Sequence, residues 1–157
     1  MPDGLLDGRI CVNDFEFAGV RGVSIDKSVL DEFGLAALGL DVKGCYLDVV
    51  NLFVREQGRG DGTRFLEALG DWADRHGYIL CLSPVPRFKR DRKTQRRLNT
   101  FYVRNHFVWN IGDNERDDCP EWLYRPPGGM AQETLIEPDT ALLLSRMKES
   151  SSKVKRV

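Results

Sequence analysis

The sequence predicts an α/β fold organised around two parallel strands, and three observations support this. Residues 45–54 (CYLDVVNLFV) form a continuous apolar run rich in β-branched and aromatic residues, which is typical of a buried strand. Residues 63–76 carry apolar side chains at helical spacing in an otherwise charged segment. Residues 78–82 (YILCL) are a second apolar strand. The order strand, helix, strand predicts that the two strands are parallel.

The turn between the first strand and its helix alternates glycine with charged residues, in the order Gly58, Arg59, Gly60, Asp61 and Gly62. A strand that enters a glycine-rich turn and leaves as a helix can hold an anion, because free N–H groups and the positive end of the helix dipole face it. A Cβ in the turn would keep a phosphate away from the backbone. A flexible connection without a ligand is the alternative. The last glycine is followed by Thr and Arg, where a Walker loop needs Lys and then Ser/Thr, and the glycine spacing is not that of a kinase or Rossmann loop.

Two motifs resemble those of one family. Residues 57–63 (QGRGDGT) match the Gln/Arg-x-x-Gly-x-Gly motif of the GNAT superfamily of acetyl-CoA-dependent acyltransferases. Residues 98–107 (LNTFYVRNHF) are similar to that family's Leu-Tyr-x-x-x-Gly-Phe segment, at about the distance the family shows. The run 52–127 also resembles small GNAT proteins encoded by phages and prophages. The resemblance implies a GNAT-like fold, a mixed central sheet with two splayed parallel strands flanked by helices, here with a shortened N-terminal part.

The resemblance implies acetyl-CoA as the co-substrate. Its pyrophosphate would lie on the glycine turn, and its pantetheine arm would enter between the splayed strands and pair with the backbone of the first one. The residues expected to contact acetyl-CoA are Leu52, Phe53, Val54, Gln57, Gly58, Arg59, Gly60, Gly62, Thr63 and Gln95. A metal is not part of this expectation.

Tyr102 is the first catalytic candidate. Acyl transfer from a thioester to an amine needs a neutral amine, a stabilised oxyanion and a proton for the departing thiolate. In the family, a tyrosine at this position lies beside the CoA sulfur, and a phenol with a pKa of about 10 suits this donor role. A core tyrosine is the alternative, because the neighbouring Phe101 shows that the helix buries aromatic residues. His106 replaces the family's glycine, which puts that tight turn in question.

Asp48 is the candidate general base, because a carboxylate in an apolar strand is costly without a partner or a task. A water-mediated base, or pairing of Asp48 with a structural arginine, are the alternatives. Asn51 and Ser83 are candidate contacts for the substrate. Alternation along a strand predicts that Asp48 and Asn51 point to opposite faces of the sheet.

The N-terminal segment predicts short strands at residues 9–17 and 23–25, joined by a turn at residues 19–22. Asp26 caps a helix that runs to Phe33, and Gly34 and Gly39 leave its end open. Most GNAT proteins have more helices and strands here, and these build the acceptor site. One or two elements are therefore expected to be missing.

Downstream, Gly77 is expected to end the helix and the Ser-Pro-Val-Pro segment 83–86 to end the second strand. Residues 108–111 and 122–125 predict an antiparallel hairpin. Residues 87–97 carry seven basic side chains. They predict a solvated loop with some CoA contact, and a nucleic-acid patch stays open as an alternative.

Length and composition predict one domain at residues 1–130, followed at 131–157 by a helix (140–147, for docking or a dimer contact) and a basic tail. Neither a membrane helix nor a signal peptide is expected. Cys45 and Cys81 are predicted core residues, and the four cysteines suggest neither a disulfide framework nor a zinc site. A cytoplasmic location, as a monomer or homodimer, is expected.

Charge is unevenly distributed although the net charge is only −1. Residues 1–54 have four Lys/Arg against nine Asp/Glu, whereas residues 55–104 have twelve against six. A chance arrangement of solvated faces would give the same counts. The pattern also suits an enzyme that holds a polyanionic cofactor in its middle segment and a cationic amine near its first third.

The sequence therefore predicts an N-acetyltransferase that moves an acetyl group from acetyl-CoA to a primary amine, on a small molecule or a protein, by direct attack in a ternary complex. A non-catalytic binding or inhibitor protein of the same fold is the competing class. Acylation of a nucleic-acid base is a third reading, suggested by the basic run alone.

Overall fold

The computed structural model describes residues 5–86 and 91–128, which contain a seven-stranded sheet in the order β1-β2-β3-β4-β5-β7-β6. The strands are β1 (Ile10–Phe17), β2 (Val20–Ile25), β3 (Leu35–Lys43), β4 (Tyr46–Val54), β5 (Ile79–Leu82), β6 (Val108–Trp109) and β7 (Leu123–Tyr124). The helices are α1 (Lys27–Phe33), α2 (Asp61–His76) and α3 (Arg92–Arg104).

The sheet is mixed. Strands β1 to β4 form an antiparallel meander, β5 pairs with β4 in parallel, and β7 pairs antiparallel with both β5 and β6. The predicted parallel pair and the predicted terminal hairpin are both confirmed. This is the mixed sheet with a parallel central pair that the resemblance to the GNAT superfamily implied, so the fold class is confirmed as GNAT-like.

The two parallel strands pair over a short length and then separate. Their register covers three positions and ends where Asp48 lies beside Cys81. Strand β4 continues to Val54, whereas β5 ends at Leu82 and the chain leaves the sheet through residues 83–86. A gap therefore opens between β4 and β5 beyond Asp48, in agreement with the predicted splay.

The main core lies on the face of the sheet that α1 and α2 cover. It includes Val29, Phe33, Leu47, Val49, Phe65, Leu69, Trp72 and Leu80, and Tyr102 and Phe107 join it from the α3 segment. A smaller cluster consists of Tyr46, Cys81, Val108, Cys119 and Tyr124. Strand residues alternate between faces, so Tyr46 and Cys81 point away from the face that their neighbours Leu47 and Leu80 share.

Local sequence signals explain where the helices begin and end. The Asp26 carboxylate accepts a hydrogen bond from the Ser28 N–H, as an N-cap should, and Gly34 ends α1 in the left-handed conformation. Helix α2 ends at Gly77, which is also left-handed. The predicted caps at Asp26 and Gly77 are confirmed, and Gly34 fixes the end of α1 that the sequence left open. No helix in the described ranges has both the length and the apolarity needed to cross a membrane.

Several sequence predictions need correction. Residues 35–43 form strand β3, which was not predicted because Gly34 and Gly39 left the end of the preceding helix open. The first hairpin turns at Ala18 and Gly19, so Arg21 and Gly22 lie within β2 instead of in the turn. Cys45 is exposed in the turn before β4, whereas Cys81 is buried as predicted.

Some predictions fall outside the described residues. These are residues 87–90 of the basic run, the domain boundary at residue 130, the helix at 140–147 and the basic tail. The rest of the basic run was predicted as a loop, but from Arg92 onward it forms the start of α3.

Candidate functional site

The turn between β4 and α2 depends on two left-handed glycines. Gly58 has φ 81° and Gly60, the N-cap residue of α2, has φ 76°. An ideal Cβ built on either residue would meet no atom within 4 Å. Backbone conformation therefore explains both glycines, and the space in front of them is open to a ligand.

Packing gives a separate reason for glycine at position 62. A Cβ on Gly62 would lie 2.9 Å from Cζ of Phe101 and 3.6 Å from Cγ1 of Val54. This glycine therefore lets α3 pack closely against the start of α2 and the end of β4. Its predicted contact with a phosphate, through the backbone N–H, stays a prediction.

The first turn of α2 presents donors that no described residue uses. The helix begins with a hydrogen bond of 3.0 Å from the Arg64 N–H to the Gly60 carbonyl. Within residues 5–86 and 91–128, no protein oxygen accepts from the N–H groups of Asp61, Gly62 or Thr63. A sixteen-residue helix with an open first turn is suited to bind a phosphate.

An acid in this first turn is neutralised by neighbouring arginines. The Asp61 carboxylate is buried and lies 3.0 Å from Nη2 of Arg64 and 3.9 Å from Nε of Arg59. Arg59 also bonds Glu56 at 3.0 Å. These residues line a cavity of about 300 Å³ beside the turn, together with the Arg55–Asp31 ion pair. The paired charge of Asp61 therefore does not oppose an anion at the turn.

Strand β4 contains a β-bulge at the point where it leaves β5. Gly39 pairs with Asn51, but the next β3 residue, Leu40, pairs with Val49, which leaves Val50 as the extra residue. Val50 is half exposed. Because the extra residue shifts the alternation, Asp48 and Asn51 share one face of the sheet. The prediction that they point to opposite faces is therefore wrong.

Asp48 belongs to a cluster of polar side chains from four segments. Lys43 Nζ, at the end of β3, donates to Asp48 Oδ2 at 2.8 Å and lies 3.5 Å from Glu121 Oε1. Ser83, which follows β5, donates its hydroxyl proton to the other oxygen of Glu121. The partner of Asp48 is therefore a lysine and not the arginine that the sequence suggested as an alternative.

Burial raises the pKa of Asp48 to about 6, and the adjacent Glu121 carboxylate adds to the effect while Lys43 opposes it. Only 6% of the Asp48 side chain is exposed. The same contact with Asp48 raises the pKa of Lys43, which therefore stays charged. A carboxylate with a pKa near neutrality can accept a proton and release it again.

Tyr102 lies on the inner side of α3, with 6% of its surface exposed. Its ring makes edge contacts with Phe101 and Phe107. Burial raises the pKa of its hydroxyl, which therefore stays protonated at neutral pH. Within the described parts of the chain, the hydroxyl makes no hydrogen bond.

Polar residues precede Tyr102 on the same side of α3. Gln95 Nε2 donates to the Pro84 carbonyl at 3.0 Å and to Oδ1 of Asn99 at 2.9 Å. Since Pro84 lies just after β5, this amide fixes α3 against the end of that strand. Gln95 is predicted from the sequence to contact acetyl-CoA, and in the structure its side chain joins two protein segments.

The turn after α3 forms with a histidine in the place of glycine. His106 has φ 74°, a left-handed conformation that costs a non-glycine residue energy. The N–H groups of Asn105 and Phe107 both donate to the Tyr102 carbonyl. The tight turn is therefore present despite the substitution.

The predicted site residues fall into two groups along β4. Residues 52–54 and 57–63 lie at its C-terminal end, beside the start of α2, where Phe101 and Asn105 of the α3 segment also make contact. Asp48 and Ser83 lie where β4 and β5 part. Lys43 and Glu121 join this second group and were not predicted, since Lys43 ends the missed strand and Glu121 comes from a distant polar loop.

Comparisons with known proteins do not decide the function of this chain. No protein-family model matches the chain, and no curated protein matches it significantly in sequence. The crystal structure of the anti-CRISPR protein AcrVA5 is similar at 16% sequence identity and a TM-score of 0.42, over 73% of this chain and 95% of that chain. A likeness of this size carries no conclusion about activity, and the fold assignment rests on the sheet topology.

Proposed function

We propose that this chain is an N-acetyltransferase that moves the acetyl group of acetyl-CoA to a primary amine by direct attack. The main support is the start of α2. Two left-handed glycines bring the chain out of β4 and leave three first-turn N–H groups without an acceptor among the described residues. The start of α2 follows β4, which separates from its parallel neighbour β5. The proposed phosphate site therefore lies next to the gap between these two strands.

The residues present suit acetyl-CoA, which supplies the activated acetyl group as a thioester. The turn from Gln57 to Thr63 would hold the pyrophosphate through its backbone N–H groups. The backbone of residues 52–54 borders the gap between β4 and β5 and would align the pantetheine arm. A negatively charged ligand here would also meet Arg59, whose side chain is largely exposed.

In this proposal Asp48 accepts the proton of the attacking amine. Its pKa of about 6 leaves it largely ionised at neutral pH, and Lys43 fixes the orientation of its carboxylate. Asn51 shares its face of the sheet and would contact the acceptor. Activity is expected to rise with pH through about 6 as Asp48 ionises.

Tyr102 donates a proton to the departing thiolate. Its pKa lies above the ordinary value, so the proton is present at neutral pH. Its hydroxyl has no hydrogen-bond partner among the described residues, which leaves it available to a ligand.

The proposal is tested first by binding. Isothermal titration of the full chain with acetyl-CoA should show one site. Release of free CoA thiol is then measured with a panel of polyamines, aminoglycosides, peptides and DNA. Absence of binding would overturn the proposal. Binding without thiol release by any acceptor would favour a non-catalytic protein of the same fold.

Tyr102→Phe provides the test of the acid role. Turnover should fall by roughly a hundredfold, the lower end for loss of a general acid, with little change in acetyl-CoA affinity. Tyr78→Phe is the matched control, because it removes a hydroxyl from a tyrosine stacked on Trp72 at the far end of α2. Unchanged turnover in Tyr102→Phe would remove its assigned role.

A non-catalytic protein is the second candidate, and one observation favours it. Asp48 is 4% exposed and already has a charged partner, as a purely structural carboxylate would. The thiol-release assay separates the two candidates.

A further inference from the structure

Three ionisable side chains from separate segments meet where β4 and β5 part. The Lys43 ammonium lies between two carboxylates, 2.8 Å from Asp48 and 3.5 Å from Glu121. The exposed fractions of the three side chains are 33% for Lys43, 6% for Asp48 and 19% for Glu121. One positive charge thus faces two negative charges in a site that water reaches poorly.

The carboxylate of Glu121 is held in a fixed orientation. One of its oxygens accepts from the Ser83 hydroxyl, and the other faces Lys43. Ser83 is itself fixed, because its oxygen accepts from the Trp122 N–H at 3.2 Å. Glu121 therefore stays beside Lys43 and Asp48 instead of turning to solvent.

Other ionisable groups face Asp48 from the adjoining strands. Asp41 of β3 lies opposite Asp48 in the strand register, and Cys81 of β5 lies beside it. A contact with the Cys119 thiol and burial raise the pKa of Cys81, with Asp48 and Glu121 adding to the effect, so this thiol stays neutral. Lys43 and Glu121 are thus the charged groups in contact with Asp48 among the described residues.

We propose that Lys43 and Glu121 are positioning residues that act in opposition to set the proton affinity of Asp48. Lys43 favours the ionised carboxylate, whereas Glu121 repels it. Burial raises the proton affinity of Asp48 most, and the second carboxylate adds to that effect. Together they offset Lys43 and bring the proton affinity close to neutral pH, where a general base works best.

The catalytic meaning of this inference rests on the proposed function, but the electrostatic relation is measurable without it. The full-length chain, labelled at its carboxyl carbons, is titrated by NMR without any ligand. In Glu121→Gln the pKa of Asp48 should fall by about 1, since a like charge is removed. In Lys43→Met it should rise by about 1 or more, since the opposite charge is removed.

Glu67→Gln is the matched control, because it removes the same charge from an exposed position on α2 and should leave Asp48 unchanged. Thermal unfolding confirms that each variant is folded, and Lys43→Gln replaces Lys43→Met if the apolar side chain prevents folding. An Asp48 pKa that stays unchanged, or moves in the opposite direction, in Glu121→Gln or in the lysine variant would overturn the inference.

Kinetics then separate the two proposals. If the chain is an acetyltransferase, the pH at half-maximal kcat/KM should move in the same direction as the Asp48 pKa in each variant. If the Asp48 pKa changes as expected in the variants but the chain acetylates no acceptor, the proposed function is overturned. The inference about Lys43 and Glu121 then still holds. If the chain is an active acetyltransferase but its Asp48 pKa is unchanged in Glu121→Gln, this inference alone is overturned.

Discussion

Asp48 makes stability depend on pH in a direction opposite to that of an ordinary ion-paired carboxylate. Burial raises its pKa from 3.8 to about 6, so the folded chain retains a proton that the unfolded chain has already lost. Between these values the unfolded state binds fewer protons, and stability falls as the pH rises. Asp48→Asn should remove this loss, and the variant should gain up to about 3 kcal/mol relative to the wild type between about pH 4 and pH 7.5.

Urea denaturation at the two pH values measures this difference. Asp14→Asn, an exposed position on β1, is the control and should show no such change. Equal differences at both pH values would mean that Asp48 does not carry the raised pKa.

Single residues could be selected from the sequence, but their neighbours could not. Asp48 stands out because a carboxylate interrupts an apolar run. Its partners Lys43 and Glu121 are brought to it by a strand that was missed and by a loop more than seventy residues away. The bulge at Val50 places Asn51 on the same face as Asp48. Simple alternation along a strand cannot predict a bulge, so this placement could not be read from the sequence.

The end of α1 packs so closely against the start of α2 that there is little room for a side chain at Gly34. Gly34 ends α1 with φ 61°, and a Cβ there would lie 2.5 Å from Oδ2 of the buried Asp61. Gly44 has φ 60° but open space around its Cβ position. Gly44→Ala should therefore cost about 1 kcal/mol from backbone strain, whereas Gly34→Ala should cost roughly 1–3 kcal/mol more because the buried Asp61 carboxylate must shift.

Chemical denaturation of both variants measures the difference, and it isolates the clash because the backbone strain is matched. Acetyl-CoA affinity should also fall in Gly34→Ala, since Asp61 begins the proposed phosphate site. If both substitutions lower the free energy of unfolding equally, the Asp61 side chain can move aside without loss of stability.

Elements with strong local signals were predicted, and those without them were not. Helix α2 has a continuous apolar face and a glycine at its end, and β4 is a dense apolar run, so both were found. Strand β3 (LAALGLDVK) has two alanines and a glycine where a strand usually has β-branched residues, so local propensity did not reveal it. Its stability comes from pairing with β2 and β4 on either side, which is non-local information.

The uneven charge of the chain divides the sheet into two parts. The segment 1–54 has a net negative charge and contains β1 to β4 and α1. The segment 55–104 has a net positive charge and contains the glycine turn, α2, β5 and α3. The boundary falls at the end of β4, next to the proposed site. This arrangement could be anticipated from composition, but the pairing of Arg55, Arg59 and Arg64 with nearby carboxylates could not.

This charge distribution predicts how salt should affect ligand binding. Acetyl-CoA carries phosphates that the basic half would attract, whereas an acetyl-pantetheine thioester has the same reactive end without them. The Kd for acetyl-CoA should rise roughly tenfold when NaCl increases from about 50 to 500 mM, because added salt screens exposed charges. The Kd for the thioester should change little. Titration calorimetry with both ligands measures this.

Equal salt sensitivity of the two ligands would show that the basic half does not face the phosphates. If the affinity for acetyl-CoA does not depend on salt, the N–H groups of α2 hold the phosphates with little help from exposed arginines.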